Sequence, residues 1–225
     1  MGTGLDLNFL RGDLNPNFNP LIARPAVNFM VRYNFSRAFS VRVNTSYGKL
    51  MGSDKLSSNP ANNLRDRKFT ATLQDWGADL EFNFLNFRSS GTIIKSSWTP
   101  TLSLGLGQFR IPNINYKSNG VQNTTNYDAP RFSFNYGFGF KKELNNNLNF
   151  TGSFRAVAPV ITNGQDAYDG MGFKKNGTIT NSYILNPLDN PKVITPNTHV
   201  KDMFYHASFT ISYVFSRVRC PNPKR

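Results

Sequence analysis

Ala26-Val27-Asn28-Phe29-Met30-Val31-Arg32-Tyr33-Asn34-Phe35-Ser36-Arg37-Ala38-Phe39-Ser40-Val41-Arg42-Val43-Asn44-Thr45-Ser46-Tyr47 alternates between apolar and polar residues. The odd positions are Val27, Phe29, Val31, Tyr33 and Phe35, then Phe39, Val41, Val43, Thr45 and Tyr47. The even positions are Asn28, Met30, Arg32 and Asn34, then Ser40, Arg42, Asn44 and Ser46. Successive strand side chains point to opposite faces, so the stretch is a hairpin with one greasy face and one polar face. Keeping the apolar residues of both strands together pairs Phe35 with Phe39, Tyr33 with Val41 and Arg32 with Arg42. The turn is then Ser36-Arg37-Ala38. Two arginines directly opposite each other repel, so they need acidic neighbours or water on their face. A soluble sandwich turns such a face to solvent. A membrane barrel encloses it in the lumen and turns the aromatic face to lipid.

Composition favours the barrel. The chain has 225 residues, with 20 Phe and 9 Tyr, yet its mean hydropathy is only -0.43. Amphipathic strands with a lipid-facing side reconcile these facts, whereas a disordered chain is poor in aromatics. No run approaches the roughly 18 apolar residues of a transmembrane helix. The formal net charge is +13. Without a basic run or a nucleic-acid-binding motif, this charge points away from nucleic acid and towards anionic headgroups, lipopolysaccharide or an acidic protein. Met1-Gly2-Thr3-Gly4 has neither the charged start nor the apolar core of a signal peptide, and we expect a signal removed from this numbering. Cys220 is the single cysteine, which rules out an internal disulfide.

The same parity reading extends outward from the hairpin. Strand one is Thr3 to Phe9, with Leu5, Leu7 and Phe9 on one side. Strand four begins near Phe69 and sets Trp76, Ala78, Leu80, Phe82 and Phe84 against Asp75, Gly77, Asp79, Glu81 and Asn83. Strand five runs from Trp98 to Gly107, and strand six alternates Phe132, Phe134, Tyr136, Phe138 and Phe140 with small or polar residues. Strand seven spans Asn147 to Ala156, and strand eight Tyr205 to Phe215. Residues 11–23, 48–67, 111–130 and 160–200 read as loops, because they gather Gly, Pro, Asn and Ser. Long connections then follow strands one, three, five and seven, and short ones follow two, four and six. This is the pattern of an all-β, eight-stranded, antiparallel up-and-down transmembrane β-barrel with long outer loops and both termini in the periplasm. Residues 1–215 form the barrel and 216–225 a basic periplasmic tail.

Several segments, taken in order, resemble one family. These are Gly12-Asp13-Leu14-Asn15, Arg32-Tyr33-Asn34-Phe35, Tyr47-Gly48-Lys49-Leu50, Glu81-Phe82-Asn83-Phe84, Gly105-Leu106-Gly107 and Cys220-Pro221. Together they look like the PorG-like outer-membrane proteins of the type IX secretion system, over nearly the whole chain. Strand four opens differently, with Asp66-Arg67-Lys68-Phe69, and residues 158–200 carry no matching motif. The resemblance implies a non-enzymatic protein of the outer membrane. It implies binding to a periplasmic ring built from a lipoprotein and its partner, and support of protein export and, in gliding bacteria, motility.

Parity sends Asp6, Arg24, Arg32, Arg42, Asp75, Asp79, Glu81, Arg131, Lys141 and Arg155 inward. Asp79 and Glu81 have the look of an acid/base pair, but polar barrel interiors commonly hold ion-pair networks. We therefore expect Glu81 to bridge one or both of Arg32 and Arg42, with Asp79 one layer higher, in a lumen too narrow for an open channel. His206, inward beside Ser208, together with His199, raises the alternative of a small barrel enzyme acting on lipid or lipopolysaccharide, but no motif marks a nucleophile, base and orienter. A third reading is a stand-alone structural or adhesive barrel. We expect no cofactor, no metal site and no phosphate loop; outer-membrane lipids surround the barrel. For a tail in the periplasm, Arg217 and Arg219 steer it to an acidic surface, and Cys220 is placed to pair with the ring lipoprotein of the resemblance.

Overall fold

The computed structural model describes residues 1–11, 19–53, 68–87, 96–118, 121–145, 147–160, 174–175, 178–179 and 203–215. The barrel strands are β1 (Gly2–Arg11), β2 (Arg24–Asn34), β3 (Phe39–Ser53), β4 (Lys68–Asn83), β5 (Trp98–Ser118), β6 (Val121–Glu143), β7 (Leu148–Pro159) and β10 (Met203–Tyr213). Two short strands, β8 (Lys174–Lys175) and β9 (Thr178–Ile179), pair only with each other. The eight long strands close in the order β1-β10-β7-β6-β5-β4-β3-β2, and every pair in the ring is antiparallel.

The β2–β3 register follows from the alternation, with Val31 opposite Val43, Arg32 opposite Arg42 and Tyr33 opposite Val41. Phe35 and Phe39 stack with centroids 6.3 Å apart, and the turn between them is closed by the Ser36 N–H on the Phe39 carbonyl at 3.2 Å. The outward rows stay exposed: Val27, Phe29, Val31 and Tyr33 on β2, Phe35 in the turn after it, and Phe132 to Phe140 at alternate positions on β6. The belt continues around the ring through Leu5, Leu80, Leu102, Leu104, Phe209 and Ile211. A soluble monomer does not expose so large a contiguous apolar surface. Eight residue steps at about 3.3 Å, tilted by roughly 40°, give a belt roughly 20 Å tall, close to the apolar band of an outer-membrane barrel.

One rim carries both ends of the described chain and the connections after β2, β4 and β6; we call it the near rim. The opposite, far rim carries the connections after β1, β3, β5 and β7. Residues 111–130, expected as a loop, are instead mostly strand: β5 reaches Ser118 and β6 starts at Val121, so the two form a ribbon beyond the belt. Pro112 and the asparagines suggested a loop, but the chain absorbs them in bulges. Register shifts fall between Phe109 and Ile111 and between Ile111 and Ile114, and Asn113 takes a positive φ of 60°. A bulge tolerates a residue without an N–H where a regular ladder does not. β3 likewise runs six residues into the expected loop, to Ser53. The expected alternation of loop length also breaks down here, since 84–97 joins β4 to β5 while only 119–120 joins β5 to β6. The last strand ends at Tyr213 rather than Phe215.

The interior is divided. Towards the far rim, Leu10, Leu50, Phe69, Leu73, Phe109, Ile111, Val157 and Phe204 form an apolar cluster with Ile22. Ile22 comes from a 3-10 turn, Pro20–Ile22, capped by the Asn19 side chain on the Leu21 N–H at 2.9 Å. Towards the near rim the interior is polar. Val31 is central in its outward row, so Val31→Arg places a charge near mid-membrane. We expect a loss of about 2–4 kcal/mol, read from urea unfolding of the barrel in lipid vesicles. A change under about 0.5 kcal/mol, the usual scatter of neutral surface substitutions, would place Val31 away from lipid.

Candidate functional site: the lumenal ion network

Glu81 on β4 is 1% exposed and is the hub of the polar half. Its Oε1 lies 3.1 Å from Arg32 Nε and its Oε2 3.5 Å from Arg42 Nη1. Lys141 reaches it from β6, and the Ser40 hydroxyl donates to Oε1 at 3.1 Å. The strands explain the convergence. Arg32 and Arg42 are directly paired across β2 and β3, and Ser40 pairs with Glu81 across β3 and β4. Lys141 also donates to Asn83 Oδ1 at 2.7 Å, which anchors its end of the cluster.

The next layer is Asp79. Its Oδ2 accepts from Arg42 Nη2 at 2.8 Å, Arg42 Nε at 3.3 Å and Asn44 Nδ2 at 2.7 Å. Gly105 lies opposite Asp79 in the β4–β5 ladder, and a Cβ there would collide with the carboxylate. Asn44 hands the chain of contacts on through its Oδ1, which accepts from Arg155 Nη1 at 2.6 Å. Arg155 pairs with Asp75. His206 closes the sequence of contacts below the apolar cluster. Its Nε2 lies 3.5 Å from Asp75 Oδ2 and its Nδ1 2.7 Å from Asn8 Oδ1, while its ring meets Phe204 edge-on. Asp6 is bonded to Asn28, which accepts in turn from Thr210 at 3.1 Å.

Four carboxylates (Asp6, Asp75, Asp79, Glu81) and four cations (Arg32, Arg42, Lys141, Arg155) thus make up this network. Their formal charges cancel, so the net charge of +13 resides in the rest of the chain. A buried ion without a partner costs several kcal/mol, and this balance avoids that cost. A polar cavity of about 30 Å³ remains between Arg42, Asn44, Arg155, Ser208 and Thr210, room for one or two waters. No metal-ligating cluster occurs among the described residues.

The structure brings Arg32, Arg42, Asp79 and Glu81 together. The carboxylate pair read as an acid/base candidate is engaged by cations inside the lumen. Lys141, Arg155 and His206 complete the cluster through contacts across the barrel, which hairpin parity does not reveal. Arg24 lies at the far rim, where it donates to the Ala23 carbonyl at 2.8 Å. Arg217, Arg219, Cys220 and His199 lie outside the described residues. Removing the hub, Glu81→Ala, leaves Arg32 and Lys141 facing no carboxylate of their own. We expect a destabilisation of about 3–5 kcal/mol, against about 1 kcal/mol for Ser40→Ala, by urea unfolding in detergent. Equal small losses would show that the cluster does not support the fold.

The solved structures to which the chain is similar include three small barrels. For the Neisserial surface protein A (NspA) the identity is 10%, with 95% of each chain covered and a TM-score of 0.49. For Ail, the attachment invasion locus protein of Yersinia pestis, the identity is 11%, with 94% of each chain covered and a TM-score of 0.47. For the N-terminal β-barrel domain of Pseudomonas aeruginosa OprF the identity is 12%, covering 94% of this chain and 96% of that one, with a TM-score of 0.39. No curated protein matches the sequence. Residues 6–223 match the family described as "Domain of unknown function (DUF6089)", and the chain belongs to that family.

Proposed function

We propose that this protein is a non-enzymatic outer-membrane component of the type IX protein secretion system, which anchors or organises a periplasmic ring. The observation that carries the reading is the filled lumen. Ion pairs occupy its near half and an apolar cluster its far half. A barrel filled in this way holds a position in the membrane rather than conducting cargo. The ordered segments that resemble the PorG-like proteins supply the identity of the machine, and the ring lipoprotein and its partner are then the binding partners. Both ends of the barrel emerge at the near rim, where the Met1 amino group bonds the Tyr213 carbonyl at 3.0 Å. In this reading that rim is periplasmic. The following residues, including Arg217, Arg219 and Cys220, then leave the membrane towards the ring, and Cys220 forms a disulfide with the ring lipoprotein.

The β5–β6 ribbon favours a second reading, a stand-alone structural or adhesive barrel that presents this ribbon outside the cell. One experiment separates the two. The chain is recovered from native membranes in mild detergent, as wild type and as Cys220→Ala, and run on non-reducing and reducing gels. The secretion reading expects ring proteins in the recovered complex and a reducible higher-mass species that the mutant lacks. Recovery of the barrel alone, with identical monomer bands in both, supports the stand-alone reading. Stable ion conductance of the purified protein in planar bilayers would contradict the filled lumen itself.

A further inference from the structure

The polar cavity of the lumen is bordered by two pairs of strands on either side of β1. On one side Asn28 pairs with Ser46 across β2 and β3. On the other, Thr210 pairs with Thr151, and Ser208 with Ser153, across β10 and β7. All six line the same space of about 30 Å³. The Thr210 hydroxyl reaches past β1 and donates to Asn28 Oδ1 at 3.1 Å. Ser46 and Thr151 are 3% and 1% exposed, and among the described residues neither hydroxyl has a hydrogen-bond partner. A buried hydroxyl is costly to leave unbonded, so both call for a ligand in the cavity.

The wall offers donors in excess. The guanidiniums of Arg42 and Arg155 border it. Arg42 is held by Asp79 and Glu81, and Arg155 by Asn44 and Asp75; each has more N–H groups than these contacts use. Acceptors are fewer. Among the described residues the wall holds one carboxylate, Asp6, and its Oδ1 accepts from Asn28. Asn44 Oδ1 already accepts from Arg155. The unbonded Oδ1 atoms of Asp75 and Asp79 belong to residues outside the wall. At the wall itself two positive groups thus meet one negative group, which favours an anion over a cation.

We propose that this cavity binds a single halide ion, with chloride the physiological species. The hydroxyls of Ser46 and Thr151 donate to it, and spare N–H groups of Arg42 and Arg155 add charge-assisted bonds. A halide is only slightly larger than a water molecule, so the space takes one ion and excludes sulfate and phosphate. The ion ties β3 to β7 across the lumen, beside the bond from Arg155 to Asn44. The site rests on the geometry of the lumen and not on any periplasmic partner, so it stands or falls separately from the secretion reading.

The test unfolds the full chain with urea in nonionic detergent, at fixed ionic strength, in sodium gluconate, chloride, bromide or sulfate. Sulfate stabilises any fold by exclusion from its surface, so the gain over gluconate is compared between wild type and Thr151→Val. At about 0.2 M, chloride and bromide should favour folded wild type about tenfold, and Thr151→Val should lose that gain. The sulfate gain should be equal in both. Thr151→Ser, which keeps the hydroxyl, should keep the halide gain. So should Ser103→Ala, whose hydroxyl bonds the Gly137 carbonyl at 3.3 Å outside the cavity. If Thr151→Val does not fold, Ser46→Ala takes its place with the same expectation. Exchanging sodium for choline at constant chloride should change nothing. Crystals grown in bromide should show an anomalous peak between Ser46 and Thr151. Halide gains that are absent, or equal in wild type and Thr151→Val, would overturn the site and leave water as the filling. A gain that follows sodium, or bromide peaks only elsewhere, would overturn it too.

Discussion

The structure depends on a rule of enclosure. Eight strands close a space too narrow for bulk water, so each polar group that parity sends inward has to find its partner inside. Glu81 meets this constraint for three cations at once, and Asp79 and Asp75 meet it for Arg42 and Arg155. The facing of Arg32 and Arg42, unfavourable for two strands alone, becomes tolerable only when β4 brings its carboxylates beside them. The hairpin that defines the fold is therefore completed by a strand that follows it.

The two halves of the interior solve the same problem by different means. The near half fills with long charged side chains, and small residues such as Gly105 leave them room. The far half simply continues the inward rows with Leu, Ile and Phe. An apolar side chain in the near half would orphan one of the charges there. His206 lies where the two regimes meet, with polar groups on its nitrogens and Phe204 against its ring.

Much of this was legible from alternation alone. The pairing of Arg32 with Arg42, the outward aromatic rows and the inward carboxylates follow from a period of two and need no tertiary information. Contacts across the barrel did not follow, because register relates only neighbouring strands. Lys141 was readable as inward but not as the partner of Glu81, and Arg155 was not readable as the partner of Asp75. The β5–β6 ribbon was missed for a different reason. Its Asn and Pro content signals a loop in an isolated chain, whereas ladder bonds to β4 and a set of bulges hold it extended. The far-half cluster also escaped notice, since inward Phe69, Phe109 and Phe204 break the expectation of a uniformly polar lumen.

The seam of the barrel joins the first strand to the last, and Met1 meets Tyr213 across a sequence separation of 212 positions. Loop closure over such a distance comes at an entropic cost before its contacts form. A nascent chain that lacks β10 exposes the bonding edges of β1 and β7 together, the condition under which strands pair with the wrong neighbour. The C-terminal strand is thus the clasp of the molecule. Without it the ring cannot close, because only β10 joins β1 to β7.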